Sequence, residues 1–393
     1  MALAVTAAAL VGVVVGAVAM ARVQDASSTE PSSPTTTAAL PPPTAPVPPA
    51  PAELLAWTPG ALDPGLLAAA SADPDVDAAS VVAAGTVDLV ASRAAGGAVV
   101  DATAAGWAIP LEAVAIDPGG HALFVGGPDR VTVAGLGPGQ ALLGATSAEL
   151  RRLGPGGTLT MSDGGSLTVA GVVSDAAIGG AELAVDRATG AALGVGTDRY
   201  VLLTHGGDRP GLEVRLRSAL PPDRPVRFRG PRETPFLRHG DAVLPQVLIK
   251  ARFGEFARRP APGDAFEQDP AWQAQHLETV DLPIIGTARC HRDIVGALDG
   301  ALREVVSSNL AGLVDPEGFA GCWNPRSTRG GTGISRHAWG VAVDLNAGAN
   351  PTGLASVQDP RLVAVFARWG FTDGSRWLVP DAGHFEYVSP PEP

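Results

Sequence analysis

Cysteine is nearly absent from this chain, with two in 393 residues. The pair, Cys290 and Cys322, lacks the close spacing of a thiolate metal site. In an exported protein it reads as a disulfide, with two buried thiols as the alternative. Excess positive charge is missing as well. Lys and Arg number 28 against 40 Asp and Glu, leaving a net charge of −12 and a pI near 5.0. No overall basic footprint exists to neutralise phosphates, which argues against nucleic acid as a partner. Lysine is scarce beside Ala, Gly, Pro, Val and Arg, a bias that speaks of a GC-rich genome rather than of chemistry. Apolar side chains are not lacking: 46% of residues are hydrophobic, ample for real cores, and the length allows more than one domain.

A charge-free apolar run covers residues 2–21, long enough to cross a bilayer as a helix. No basic residue precedes it and Arg22 follows it. Residues 1–22 therefore read as a single-pass membrane anchor, with a cleaved signal as the alternative. The rest would lie outside the cytoplasm. Residues 23–52 are mostly Ser, Thr, Pro and Ala and cannot bury enough surface to fold. Their Pro-rich part predicts a stiff, extended spacer.

Residues 53–230 predict a mainly β or α+β domain, with short Val/Leu/Ala runs between Gly/Pro/Asp turns. A hairpin is expected over 157–173 with Asp163-Gly164-Gly165 at its tip. A short helix is expected from Ser147 to Leu153, stopped by Gly154 and opened by a Thr146/Glu149 capping box. The Leu-Gly-Pro-Gly-Gln of 136–140 and the hairpin resemble the extracytoplasmic domain of some ABC-type permeases. His121 and His205 stand alone, so the domain reads as a spacer, a regulatory unit or a module for a protein partner. Residues 231–244 read as a linker. Around them, Arg224, Arg227, Arg229, Arg232, Arg238, Lys250, Arg252, Arg258 and Arg259 make a locally basic stretch, read as a solvated face, with contact to anionic wall polymers or lipid headgroups as the alternative.

The chemistry gathers at two places. Gly340 to Asn346 predicts a strand with Val341, Val343 and Leu345 on the core face and Asp344 on a nearly bare face. His337 lies just before it. A second strand, from His384 to Tyr387, offers another imidazole, with Phe385 and Tyr387 facing the core. Two imidazoles and a carboxylate make a three-ligand zinc site with one open position, suited to hydrolysis. Asp381, in the loop entering the second strand, is the candidate base, with Glu386 in reserve. Arg326 or Arg329 would supply a cation for a developing oxyanion. Trp339 and Trp377 are candidates to line the cleft. Helices are expected over Cys290–Leu310 and Pro360–Trp369, the second capped by Asp359 and stopped by Gly370. His291 reads as structural.

Ser335-x-His337-x-x-Gly340-x-Ala342-x-Asp344, followed by Asp381-x-x-His384, resembles the zinc peptidases that cut bacterial peptidoglycan: the D-alanyl-D-alanine carboxypeptidases and the L-alanyl-D-glutamate endopeptidases. The resemblance covers about residues 245–393. It implies an α+β, Hedgehog/DD-peptidase-like fold, Zn2+ on His337, Asp344 and His384, Asp381 as base, Arg326 at the transition state, and Ser335 among the substrate-binding positions. Asp381 and the Phe385-Glu386 pair look more like the endopeptidase branch, while Gly383 departs from the bulkier residue expected there. The expected substrate is the peptidoglycan stem peptide. The rivals are a D-alanyl-D-alanine carboxypeptidase and a non-catalytic wall-binding or sensing protein.

Overall fold

In the computed structural model, residues 52–328 and 333–389 are described. Ten strands make one sheet: β1 (Ala52–Trp57), β2 (Val76–Arg93), β3 (Val99–Ala102), β4 (Ile109–Ile116), β5 (Gln140–Gly144), β6 (Thr158–Met161), β7 (Ser166–Val173), β8 (Leu183–Asp186), β9 (Asp198–His205) and β10 (Arg227–Arg229). Their order is β10-β1-β9-β2-β4-β8-β5-β7-β6, with β3 on β2. β6 also pairs with β2, Leu89 opposite Met161, so the path from β2 round to β6 closes on itself. Closure leaves those strands no free edge. The residues explain it: β7 alternates strictly, burying Leu167, Val169, Gly171 and Val173 while Ser166, Thr168, Ala170 and Val172 face out. Leu89, Leu111, Leu143, Leu159 and Leu183, all fully buried, fill the interior.

The β6–β7 hairpin turns at Asp163-Gly164-Gly165, as the sequence predicts, with the Asp163 carboxylate accepting from Gly165 N. The short helix runs Ala145–Arg151 instead. It has no side-chain cap, because Thr146 gives both its N–H and its hydroxyl to Asp175. It ends on Arg152 in the left-handed region, before Gly154 is reached.

The remaining strands are β11 (Arg258–Pro260), β12 (Phe266–Gln268), β13 (Leu277–Leu282), β14 (Gly286–His291), β15 (Ala342–Asp344), β16 (Phe371–Gly374) and β17 (Asp381–Tyr387). The last three form an antiparallel sheet in the order β15-β17-β16. Helices Arg292–Ser307 and Pro360–Arg368 pack on each other and on this part. The first bury Ile294, Ala297, Leu298, Ala301, Leu302 and Val305 at helical spacing. It starts later than the sequence suggests, since Cys290 still belongs to β14 and His291 caps the helix through Nδ1 on Asp293 N. Asp359 caps the second, with Pro360 at its first position. The Cys290–Cys322 disulfide is formed.

Residues 246–258 are stitched to the ten-stranded sheet by buried charge. Lys250, the chain's single lysine, donates to Glu182 (2.8 Å), Glu255 (2.8 Å) and the Pro110 carbonyl (2.6 Å). Arg151 pairs with the same two carboxylates, and Gln246 Nε2 reaches Glu182 at 2.8 Å. Arg151, Glu182 and Lys250 are all essentially inaccessible to solvent. The basic stretch is thus not simply a solvated face. Arg227 and Arg229 grip Asp241, Arg238 grips Glu112 and Arg258 grips Asp88. No described helix is long and apolar enough to cross a membrane. The expected anchor at 1–22, nearly all of the 23–52 linker, and Arg329 lie outside the described residues.

Candidate metal centre

His337 sits in a single 3-10 turn, Arg336–Trp339, that ends on Gly340 at φ +70°. A side chain on Gly340 would meet His291 N at 2.9 Å, and the Gly340 carbonyl accepts from that same N–H at 3.0 Å. Glycine therefore lets the turn lie directly on β14. β15 follows, shorter than the sequence suggests, and pairs with β17 so that Asp344 stands opposite His384. Directly opposed residues project on the same face, so register alone brings these two together. Val341, Val343, Leu345, Phe385 and Tyr387 go to the core, as their alternation predicts.

Three donor atoms converge. His337 Nε2 lies 3.2 Å from Asp344 Oδ1 and 3.3 Å from His384 Nδ1, and His384 Nδ1 lies 3.1 Å from Asp344 Oδ1. Ligands about 2.0–2.1 Å from one tetrahedral zinc stand roughly 3.3 Å apart, so the donor set fits that ion in type and in spacing. Among the described residues this is the one group of three or more His, Cys, Asp or Glu side chains close enough to share a metal.

The far side of one imidazole is hydrogen-bonded, and that of the other faces a buried carboxylate. His337 Nδ1 lies 3.1 Å from the carbonyl of Cys322, so the ring proton sits there and Nε2 is left as the donor. Cys322 is itself anchored by the disulfide. His384 Nε2 faces Glu386 Oε2 at 3.7 Å. Glu386 is buried, and its other oxygen accepts from Val243 N at 2.9 Å. Burial pulls the His384 pKa down, but Asp344 and Glu386 outweigh it and hold the ring up at about 9. Burial pushes the Asp344 carboxyl up, and the two imidazoles more than reverse that, leaving it well below the usual carboxylate range. Glu386, raised by burial, is likewise lowered overall by His384 and the Arg336 guanidinium.

The other candidate residues divide. Asp381 is half-buried and is the first residue of β17, rather than a loop residue, at a register break where it faces Gly374. Its Oδ1 accepts from Thr352 Oγ1 at 3.0 Å. Arg326 pairs through its backbone with Ala265 and Ser335, two residues before His337, and its half-buried side chain has no partner among the described residues. Ser335 is buried at the start of the turn. Trp377 stands at the centre, its ring 5.2 Å from that of His384. Trp339 does not. It is fully buried, 4.8 Å from the Phe256 ring, with Nε1 on the Gly254 carbonyl at 3.0 Å. The 3-10 turn sends it to the core while His337 faces the metal donors, which overturns its cleft-lining role. Glu386 fails as a reserve base for the same kind of reason, because the carboxylate is sealed behind His384. Its role against the far ring nitrogen was not foreseen, although its place two residues after His384 put both on one face.

The family model of the D-alanyl-D-alanine carboxypeptidases matches residues 328–387. The matched stretch holds all three converging donors and Asp381. Over that stretch the chain is similar to the D-alanyl-D-alanine carboxypeptidases, and its His-His-Asp cluster could bind a metal ion. No curated protein matches the chain. Among solved structures, the extracellular domain of a noncanonic ABC-type transporter, YknZ, from Gram-positive bacteria is similar at 12% identity over 42% of this chain and 88% of that one, with a TM-score of 0.27. At that score the likeness carries no argument.

Proposed function

We propose that the chain is a zinc-dependent peptidase acting on peptidoglycan stem peptides, held at the outer face of a membrane by residues 1–22. The observation that carries the reading is the convergence of His337 Nε2, Asp344 Oδ1 and His384 Nδ1 at 3.1–3.3 Å inside the peptidase-matched segment. When bound, zinc supplies Lewis acidity for hydrolysis at neutral pH. The chain's own residues do the rest. Cys322 and Glu386 orient the two imidazoles. Asp381 takes a proton from the attacking water on Oδ2, the oxygen that Thr352 leaves free, and passes it to the leaving amine. Arg326 offers a guanidinium to the developing oxyanion. Trp377, beside His384, forms a wall for the peptide. Asp381 and Phe385-Glu386 favour an L-alanyl-D-glutamate type of cut. The description of the matching family favours removal of a terminal D-alanine, for which Arg326 would clamp the free carboxylate.

The test is digestion of purified peptidoglycan by the full chain with and without zinc, read by mass spectrometry. Zinc-dependent muropeptide products, lost in His337→Ala, are expected, and their masses name the bond. Intact muropeptides from a protein that demonstrably holds zinc would overturn the reading.

A further inference from the structure

A cavity of about 200 Å³ lies between the ten-stranded sheet and residues 231–237. Its titratable wall groups, Glu53, Asp129 and His121, present acceptors. Glu53 of β1 is half-buried and has no ion-pair partner among the described residues. Asp129 spends one oxygen on Ser174 N at 3.0 Å and keeps the other. His121 Nε2 lies 3.0 Å from the Ala177 carbonyl, which can only accept, so the proton is on Nε2 and Nδ1 is a bare, unpartnered acceptor. Burial lowers the His121 pKa and keeps the ring neutral. No Lys or Arg lines the cavity, and Arg130, next to Asp129, turns its Nε to the Val125 carbonyl at 2.9 Å. The two carboxylates and His121 do not approach closely enough to share a metal ion. Burial pushes the Glu53 carboxyl up, as expected of a carboxylate left without a cation.

The remaining walls include the apolar side chains of Phe124, Val125, Leu202 and Leu237. On the same stretch of chain, Leu123 and Val131 are 55% and 77% exposed. Acceptors inside, apolar walls and exposed apolar neighbours match one chemistry: a cationic head on a methylene stem, presented between apolar residues.

The wall at 231–237 continues into the metal centre. Asp241, gripped by Arg227 (2.7 Å) and Arg229 (2.5 Å), accepts from Leu378 N at 2.6 Å, next to Trp377. Val243 N holds Glu386 behind His384, and the Leu244 carbonyl accepts from Arg336 at 2.5 Å, next to His337. We propose that the cavity receives an arginine or lysine side chain of a partner protein, and that residues 231–244 carry its occupancy to the metal centre. The second half rests on the metal-centre reading, and the first does not.

The probe is N-acetyl-arginine methylamide, with the citrulline analogue as its neutral isostere, titrated into the full chain and followed by methyl NMR of Leu202 and Leu237. Saturable binding of the arginine compound is expected, at least tenfold tighter than citrulline. It should weaken at least tenfold in Glu53→Gln/Asp129→Asn and disappear in Leu237→Trp, which fills the cavity. Equal shifts from both compounds, or unchanged binding in the folded double variant, overturn the docking site. Zinc affinity, measured by chelator competition with and without the probe, reads the relay. A change of a few-fold is expected, and none at saturation overturns the relay. A chain that binds the probe and zinc but cuts no peptidoglycan sinks the peptidase reading and leaves the docking site standing.

Discussion

Two of the clusters of buried charge among the described residues are built to opposite rules. Arg151, Lys250, Glu182 and Glu255 place two cations against two anions, and each ion finds its counter-charge within the chain. Around His337, Asp344 and His384 the chain brings three donors to 3.1–3.3 Å, and among the described residues no Lys or Arg pairs with any of them. The far nitrogen of His337 is on the Cys322 carbonyl and that of His384 faces Glu386, so the three near atoms could hold a metal ion. A closed cluster fixes how two parts of a fold meet. An open one recruits a ligand. The residue types of the two overlap, so it is the completeness of the pairing that distinguishes a structural seam from a candidate site.

The sharpest break of that contrast is metal removal. Chelation should abolish zinc-dependent hydrolysis while leaving the unfolding of the Lys250 seam intact, checked by activity and thermal denaturation on one sample. The converse is Lys250→Met. Removing one partner leaves Glu182 and Glu255 short of a cation, with an expected cost of about 3–5 kcal/mol. Chemical denaturation would measure it, and zinc stoichiometry in the protein that remains folded should not change. A loss below about 1 kcal/mol would mean that the seam tolerates an unpaired ion, against the closed reading.

Glu386→Gln comes next, because it alters the open cluster from behind. The amide keeps the shape but not the charge facing His384, and loss of such support typically costs about 10–100-fold in metal affinity. Chelator competition measures it. The pH dependence follows from the same contacts. In the metal-free chain Asp344 and Glu386 hold the His384 pKa at about 9, above its ordinary 6.5. Zinc must displace that proton, so its affinity should climb by about tenfold per pH unit toward pH 9 and then level off. The sign for stability is the reverse. The raised pKa stabilises the metal-free fold in full below about pH 6.5, and that contribution fades as pH rises through about 9. A zinc affinity flat from pH 6.5 to 9 would count against this.

The open cluster was largely legible in the sequence and the closed one was not. Asp344 and His384 were readable because alternation within a strand is a local rule, and Val343 and Phe385 beside them confirm the faces. The helix stripe of Ile294 to Val305 and the Asp359 cap are local in the same way. Lys250 and Glu182 are 68 residues apart, and nothing near either one names the other. Trp339 was misread because the residues before Gly340 form a 3-10 turn, and the turn sends neighbouring side chains to different surroundings. The Thr146/Glu149 spacing misled for a tertiary reason: Asp175 competes for Thr146 and wins.

The smallest expected effect tests whether Asp381 belongs to the open cluster at all. Thr352 donates to Asp381 Oδ1 from a solvent-exposed position, so Thr352→Val removes one hydrogen bond and leaves no buried group unpaired. Such a bond is worth about 0.5–1.5 kcal/mol, which corresponds to a few-fold to roughly tenfold loss of rate. If Asp381 carries the proton, the loss should appear in kcat, with zinc affinity unchanged, because the carboxylate loses its orientation and not its place. Asp381→Asn sets the scale, at about 10²–10⁴-fold. If Thr352→Val alters zinc affinity and spares kcat, Asp381 is a support for the metal donors, and the proton carrier must be sought elsewhere.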